Sequence, residues 1–357
     1  MDLWDGILRS QMPIRDDSAL SMRIAFYGNA HIHARDYMLA CLDDARIEVV
    51  GAAAVERTPY DFPPHIPIVE AAQDLRPHDV CVVASDIAAH GAHVASARAP
   101  HVFVEKPLGM NSSDARRTAE LIERGQSSFH TGMFLRHAEP LRRLREELHD
   151  GTIGAVRAVN LTYAHSGLRD GWLRDWPAHM DADRMGYGVF GDLAAHLIDF
   201  ARWCLVPEGD GRPDGGRCDP DPLLVVESCH LEMIGGIDAA GTARLRAPDG
   251  VPVTLAAGGL APGRDLTLRV QGEAGTLAIV DDALVIELPD GTVERLTRPA
   301  DITPRSGFAA ELDAVAEGRA SPGATLPDMI AVNVVLDALY EAAERAEAAI
   351  LAPTSGA

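Results

Sequence analysis

The sequence predicts an α/β protein with two domains: an N-terminal doubly wound parallel sheet, then an α+β domain with an open, mostly antiparallel sheet. Three observations support this prediction. Short apolar segments alternate with helical segments between residues 22 and 134. A pattern rich in strands and turns follows from residue 155. The chain has 357 residues, which is enough for two domains of ordinary size.

The strands predicted in the first domain are almost continuously apolar and rich in valine. Strands of a parallel sheet have this composition because helices cover both faces. They are MRIAFYG (22–28), IEVVGAAA (47–54), VCVVAS (80–85), HVFVEKP (101–107) and SSFHTGMF (127–134), with helical spacing over 33–42, 88–97 and 113–125. This alternation predicts a dinucleotide-binding Rossmann domain over residues 22–145.

The pattern changes after a helix predicted near 136–149. Apolar and polar residues alternate in AVRAVNLTYAH (155–165), as in a half-buried strand. Further strand segments follow between Gly, Pro and Asp-Gly turns, and they indicate antiparallel pairing. Helices are predicted at 308–317 and 327–348, and a loop at 207–222. We therefore assign residues 146–350 to a substrate and oligomerisation domain, and residues 1–21 to an N-terminal extension.

Composition narrows the classes of function. The five cysteines are scattered without a CxxC pair, which argues against a zinc site or a disulfide framework. The formal net charge of −21 argues against nucleic acid or an anionic membrane as partner. No apolar run approaches the roughly 18 residues of a membrane span. The acidic N-terminus does not resemble a secretory signal, so we expect a cytoplasmic protein.

The turn after the first strand is a candidate phosphate-binding turn. It reads GNAHIH from Gly28, whereas the complete fingerprint is GxGxxG. Ala30 and His33 replace the second and third glycines. The predicted cofactor contacts here are Gly28, Asn29, Ala30, His31 and Ile32. His31 and His33 also suggest a metal, but no third ligand has a persuasive spacing, so we predict none.

The second strand lacks the acid that usually binds the adenosine ribose, since Ala54 stands at that place. Glu56 can substitute for this acid, which favours NAD. Arg57 can pair with a 2′-phosphate, which favours NADP. The residues leave the choice open, with a slight preference for NAD.

The segment VEKPLG places Lys106 at the carboxyl end of a parallel strand, where open α/β sheets bind ligands. An ammonium there can hydrogen-bond a carbinol or carbonyl oxygen and stabilise a developing alkoxide. Glu105 and Lys106 are therefore candidate cofactor or substrate contacts. A surface ion pair between them is the structural alternative.

A second candidate segment is GYGVFGDLAAHLIDFARW (186–203). Asp192 and His196 lie four residues apart and share one helix face. A histidine can accept a proton near neutral pH, and a carboxylate can orient it. The alternatives are a helix-start acid and a core histidine.

Together these motifs resemble the Gfo/Idh/MocA oxidoreductase family. The similarity extends over about residues 22–348 and includes HVFVEKPLG, MFLRHAEP, GTIGAVRAV and QGEAGTL. It implies hydride transfer between NAD(P) and a secondary alcohol of a sugar or cyclitol, with Lys106, Asp192 and His196 as the catalytic residues. It also implies a homodimer or homotetramer formed through the C-terminal sheet.

The resemblance also suggests further site residues. Ser85 and His90 match the family's cofactor-lining turn, where Asp86 replaces the usual proline. Arg136 matches an arginine near the active cleft. Tyr163, His165 and Trp176 match the region of the substrate pocket. The similar EKP strand edge of glucose-6-phosphate dehydrogenases contains a cis peptide bond, which predicts a cis bond between Lys106 and Pro107.

Two alternatives remain open on the same fold. One is a glycosidase or epimerase that retains NAD and acts through a 3-keto intermediate. The other is a ligand sensor without catalysis.

Overall fold

A computed structural model of the chain describes residues 22–205 and 224–351. The predicted N-terminal extension and the predicted loop at 207–222 lie outside the described residues. The first sheet has six parallel strands in the order β3-β2-β1-β4-β5-β6, as predicted for a doubly wound fold. Its strands are β1 (Met22–Tyr27), β2 (Ile47–Ala53), β3 (Ile68–Val69), β4 (Val80–Val83), β5 (His101–Val104) and β6 (Ser128–Thr131).

The helices of this sheet follow the predicted positions closely. They are α1 (Ala34–Asp43), α2 (His90–Ser96) and α3 (Ser112–Gly125), followed by α4 (Glu139–His149). All five predicted strands end earlier than expected, β5 and β6 by the most. β5 stops at Val104, before the Lys106–Pro107 bond, and β6 stops at Thr131, where Gly132 precedes a 3-10 turn at Phe134–His137.

The second sheet has eight strands in the order β14-β13-β12-β11-β7-β10-β9-β8. Its strands are β7 (Val156–Ala164), β8 (Val225–Ile234), β9 (Ile237–Arg246), β10 (Pro252–Gly258), β11 (Asp265–Gly272), β12 (Thr276–Val280), β13 (Ala283–Glu287) and β14 (Val293–Arg295). β7 and β10 run parallel, and the other paired neighbours run antiparallel. This confirms the predicted open, mostly antiparallel sheet.

Two long helices after β7 pack on the second sheet. The short α5 (Ala182–Met185) and the long α6 (Val189–Leu205) lie between β7 and β8 in the chain, and α7 (Pro304–Ala316) and α8 (Leu326–Leu351) follow β14. α6 packs on β7, β9 and β10, and α8 packs on β8. These contacts bury one face of the second sheet.

Helix α7 packs away from the second sheet, on helix α1. The ring of Phe308 lies 4.6 Å from the ring of Tyr37 and 4.8 Å from that of Phe103. Phe308 and Leu312 are buried in the core around β1 and α1. A segment that the sequence assigned to the second domain therefore completes the core of the first sheet.

Within the described ranges, no helix has the length and apolarity needed to cross a membrane.

Candidate active site

A lysine at the carboxyl end of β5 contacts the first turn of α6. Lys106 follows β5 by two residues and is fully buried. Its Nζ donates to Oδ1 of Asp192 and, at 3.3 Å, to the main-chain oxygen of the same residue. The Lys106–Pro107 bond is cis, as predicted. The fold thus joins two candidate residues that lie 86 positions apart in the chain.

Asp192 carries its charge in this contact. Burial alone would raise the pKa of its carboxyl, but Lys106 and His31 outweigh burial and hold the pKa well below its usual range. The Nε2 atom of His31 lies 3.8 Å from Asp192 Oδ1. Asp192 is therefore an anion that faces Lys106 and His31.

His196 lies one helical turn after Asp192 and is buried. Neither ring nitrogen has a hydrogen-bond partner among the described residues. The ring packs edge-on against Phe134 at 4.6 Å and lies 5.8 Å from Tyr163. Burial, and next the charge of Lys106, lower its pKa well below the usual value. At neutral pH the imidazole is thus uncharged and has a nitrogen free to accept a proton.

A cavity of about 250 Å³ opens beside these residues. Its lining includes five of the predicted residues: Ile32, Tyr163, His165, Asp192 and His196. It also includes residues that the sequence did not single out: Asp36, Trp172, His179 and Arg264, together with the turn residue His33. The cavity lies between α1 of the first sheet and β7 and α6 of the second part of the chain.

Two predicted substrate residues lie elsewhere. Trp176 is buried beside His179, and Trp172, four residues earlier, lines the cavity instead. Arg136 is also buried, and its guanidinium is bound by two carboxylates, at 2.8 and 2.5 Å from Asp199 and 3.2 Å from Asp328. Both side chains are therefore engaged in packing or ion pairs away from the cavity lining.

The two turn histidines converge on the carboxylate of Glu105. The Nδ1 atom of His31 lies 3.2 Å from Oε1 of Glu105, and His33 forms a short hydrogen bond to the same oxygen. The three side chains offer ligand atoms within 4.8 Å of one another, so Glu105 offers a third ligand atom that sequence spacing did not reveal. Tyr37 also donates to Oε1 at 2.8 Å. Contacts with Oε1 thus link His31, His33 and Tyr37 to Glu105.

The turn after β1 has a backbone suited to a dinucleotide. Gly28 has φ +79°, and a Cβ atom there would lie 2.5 Å from the Cβ of Ser85. The turn therefore requires glycine at this position, as in dinucleotide-binding folds. It lies between the carboxyl ends of β1 and β4, where the strand order reverses. This position is the usual ligand crevice of such sheets.

The predicted ribose-binding region is held by hydrogen bonds. Asn29 exchanges two with the main chain of Glu56, at 3.0 and 2.9 Å. The Glu56 carboxylate pairs with Arg184 at 2.8 Å, whereas Arg57 is exposed. Asp86 accepts from the amide of Ala89 at 3.1 Å and therefore starts the 3-10 turn before α2.

The other predicted cofactor-lining residues are buried at the same sheet edge. Ser85 Oγ donates to the main-chain oxygen of Asp86 at 2.9 Å. His90 is fully buried, and burial is the main cause that lowers its pKa to about 4. For Glu105, burial would raise the pKa, but His31, His33 and Lys106 outweigh it and hold the pKa far below the usual value.

Sequence reasoning missed His179, Arg184 and Arg264. His179 is buried, and its ring nitrogens have no hydrogen-bond partner within the described part of the chain. Its ring centre lies 4.9 Å from that of His31. The three residues lie in loops or short helices without periodicity, so only the tertiary fold reveals their positions.

Comparisons with known proteins agree with this architecture. Residues 141–278 match the family model of the GFO/IDH/MocA C-terminal domain. The chain is 28% identical to myo-inositol 2-dehydrogenase of Thermotoga maritima over 240 residues, which cover 61% of this chain and 68% of that protein. It is 26% identical to 1,5-anhydro-D-fructose reductase of Ensifer adhaerens over 198 residues, which cover 54% and 53%.

Solved structures share the fold over most of the chain. A levoglucosan dehydrogenase in complex with NADH and levoglucosan superposes with a TM-score of 0.70 at 15% identity, covering 91% of this chain and 98% of that one. A myo-inositol 2-dehydrogenase from Lactobacillus plantarum superposes with a TM-score of 0.68 at 19% identity, covering 91% and 98%. At these identities the similarity establishes the fold.

Proposed function

We propose that this chain, whose residues 141–278 match the Gfo/Idh/MocA C-terminal domain, is an NAD(P)-dependent oxidoreductase acting on a sugar, sugar derivative or cyclitol. The reaction is reversible hydride transfer between the nicotinamide and a secondary alcohol or ketone. The proposed catalytic residues are Lys106, Asp192 and His196. The names of the relatives, which are dehydrogenases and reductases of sugars and inositols, support this substrate class.

The observation that carries the proposal is the position of Lys106. It is the only lysine in the 357-residue sequence, in which the other cationic side chains, histidine aside, are arginine. This one ammonium is fully buried beside the Asp192 carboxylate, next to the cavity. A compact ammonium with three donors fits such a site, whereas a guanidinium is larger and planar.

The geometry supports a different role for each of the three residues. Two donors of Lys106 go to Asp192, so a third is available for the oxygen of the reacting carbon. His196 is uncharged and takes the hydroxyl proton as general base when the alcohol is oxidised. Asp192 holds the ammonium in place. The sequence-based hypothesis had Asp192 orient either His196 or an adjacent hydroxyl, and the contact with Lys106 adds this further role.

The residues of the first sheet suit a dinucleotide. Gly28 and the strand ends form the cradle, and Glu56 is the acid for the adenosine ribose. We propose Gly28, Asn29, Ala30, His31, Ile32, Glu56, Ser85, Asp86, His90 and Glu105 as the cofactor environment. When bound, NAD(P) supplies the hydride acceptor or donor. Glu56 favours NAD, and Arg57, which is exposed, is free for a 2′-phosphate.

The proposal extends to a cytoplasmic homodimer or homotetramer formed through the second sheet. The exposed face of this sheet carries a shallow depression lined by Thr162, His230, Thr242 and Ala256. Strand β8 forms one edge of this sheet. It exposes the apolar residues Val225, Met233 and Ile234. Light scattering of the purified chain tests the oligomeric state. A monomeric mass at micromolar concentration contradicts the proposed dimer or tetramer.

A direct assay tests the activity. The chain is incubated with NAD or NADP and a panel of cyclitols and sugars, and the absorbance of reduced nicotinamide is followed. We expect net reduction with at least one polyol. A product that forms without net change in the nicotinamide supports the glycosidase or epimerase alternative. If calorimetry detects no binding of either nucleotide, oxidised or reduced, the proposal is wrong.

A further inference from the structure

An arginine from the second part of the chain bridges two acids of the first sheet. Arg184 lies in α5, and its Nη2 is 2.8 Å from Oε2 of Glu56, while its Nε donates to Oδ2 of Asp86 at 2.7 Å. Glu56 follows β2 and Asp86 follows β4. These strands flank β1, so the guanidinium lies across the end of the strand that carries the Gly28 turn.

This position is the crevice in which an open α/β sheet binds its ligand. The strand order reverses between β1 and β4, and nucleotide phosphates lie outside the carboxyl ends of the strands at such a point. The side chain of Arg184 is 29% exposed, so it is accessible to a ligand that enters the crevice. It therefore lies within the volume of a bound dinucleotide or directly beside it.

The segment around Arg184 also covers the turn. Ala178 and Met185 pack against Ala30 of the turn and Ile87. Asn29, Ala30 and His31 are at most 4% exposed. A diphosphate can reach the main-chain amides of this turn only when residues 177–185 move, and Arg184 moves with them.

The charges near Arg184 determine which group its guanidinium binds after this segment moves. Glu56 and Asp86 would by themselves repel a diphosphate, in a chain that carries a formal net charge of −21. Arg184 neutralises one of them. Its planar fork also matches two phosphate oxygens, a geometry in which charge-assisted hydrogen bonds are strong.

We propose that Arg184 is a phosphate-binding residue of the dinucleotide site, held ready by Glu56 and Asp86 in the free protein. On binding, the guanidinium exchanges a carboxylate for a cofactor phosphate. This proposal rests on the proposed function, since it requires a dinucleotide ligand. It adds a cofactor contact from the substrate side of the cleft.

The test compares the full-length wild type with Arg184→Gln and with Arg174→Gln as matched control. Arg174 is an exposed arginine in the neighbouring 3-10 turn. Calorimetry measures Kd for ADP-ribose, NADH and NADPH, and the melting temperature checks the fold. We expect Arg184→Gln to raise Kd about 10-fold or more, the range for a lost charge-assisted hydrogen bond. The control should change less than about twofold.

The choice of ligand separates the possible phosphates. Equal weakening of all three ligands identifies the diphosphate, and weakening of NADPH alone identifies the 2′-phosphate; both outcomes support the proposal. Arg184→Lys keeps the charge without the fork and should fall between wild type and Arg184→Gln.

Other outcomes overturn the proposal. If Arg184→Gln binds all three ligands as tightly as wild type, or more tightly, Arg184 does not bind a cofactor phosphate. The proposed oxidoreductase function is unaffected by that result. If the wild type binds none of them, both proposals are wrong. If Arg184→Gln does not fold, Arg184→Lys gives the independent result. It keeps the charge but loses the planar fork, so it should bind ADP-ribose more weakly than wild type, and unchanged or tighter binding overturns the proposal.

Discussion

Lys106 Nζ donates a hydrogen bond to Asp192 Oδ1 at the junction of the two sheets. The lysine side chain is fully buried and the aspartate side chain is 16% exposed. Burying two charges is costly, and neither is tolerated there without the other. Removal of either partner alone should therefore affect stability as well as the proposed chemistry.

Asp192→Asn should lower both stability and turnover. The change leaves the buried Lys106 ammonium without the carboxylate that accepts its hydrogen bond, and removal of one partner of a buried pair typically costs about 3–5 kcal/mol. Urea unfolding of the single variants and of Lys106→Met/Asp192→Asn measures this. The double variant should be more stable than the sum of the single changes predicts, and strict additivity would contradict the coupling.

Lys106→Arg should lower kcat by roughly 100-fold or more, the range for a lost donor to the developing oxyanion, although the charge is kept. The bulky guanidinium does not fit where an ammonium is fully buried. Steady-state kinetics measures kcat, and calorimetry should give an unchanged Kd for NADH. The matched control is Arg295→Lys on the exposed strand β14, which should keep full activity. A fully active Lys106→Arg variant would remove Lys106 from the mechanism.

Stability should fall as pH drops from about 6.5 toward 4. The pKa of His90 is about 4 in the fold, against an ordinary 6.5, mainly because of burial. The unfolded chain therefore binds the proton at higher pH than the folded chain does, so stability is lost across this window as pH falls. His90 alone contributes up to about 3 kcal/mol, at about 1.4 kcal/mol per pH unit.

The pKa values of His31, His179 and His196 are lowered in the same direction by burial, so they should steepen this loss. Urea unfolding at several pH values gives the slope. His90→Gln should flatten it, while His65→Gln, at an exposed residue, should leave it unchanged. An equal slope in wild type and His90→Gln would contradict this assignment.

The sequence predicted those parts of the fold that depend on local pattern. Apolar strands between helices identified the first sheet, and the EKP segment identified Lys106. The position of Asp192 four residues before His196 indicated one helix face, but not that Asp192 pairs with Lys106. That contact depends on how two distant segments pack.

The missed features are likewise contacts between distant segments. Glu105 joins the two turn histidines from 72 residues beyond His33. Arg184 reaches Glu56 across 128 positions. Helix α7 joins the first core because Phe308 fills the space beside Tyr37. Periodicity and spacing carry no information on such pairs.

The buried position of Arg136 distinguishes a substrate-binding role from a structural one. The guanidinium is buried between Asp199 and Asp328, and these carboxylates hold its pKa above the usual value although burial alone would lower it. Arg136→Met should therefore lower the free energy of unfolding by about 3–5 kcal/mol, since two buried carboxylates lose the guanidinium that binds both of them. Arg143→Met, at an exposed arginine of α4 that pairs with Glu147, should cost less than about 1 kcal/mol.

At a temperature where Arg136→Met remains folded, KM for the substrate should stay within about threefold of wild type, a change of less than 1 kcal/mol. A large rise in KM without loss of stability would return Arg136 to the substrate pocket.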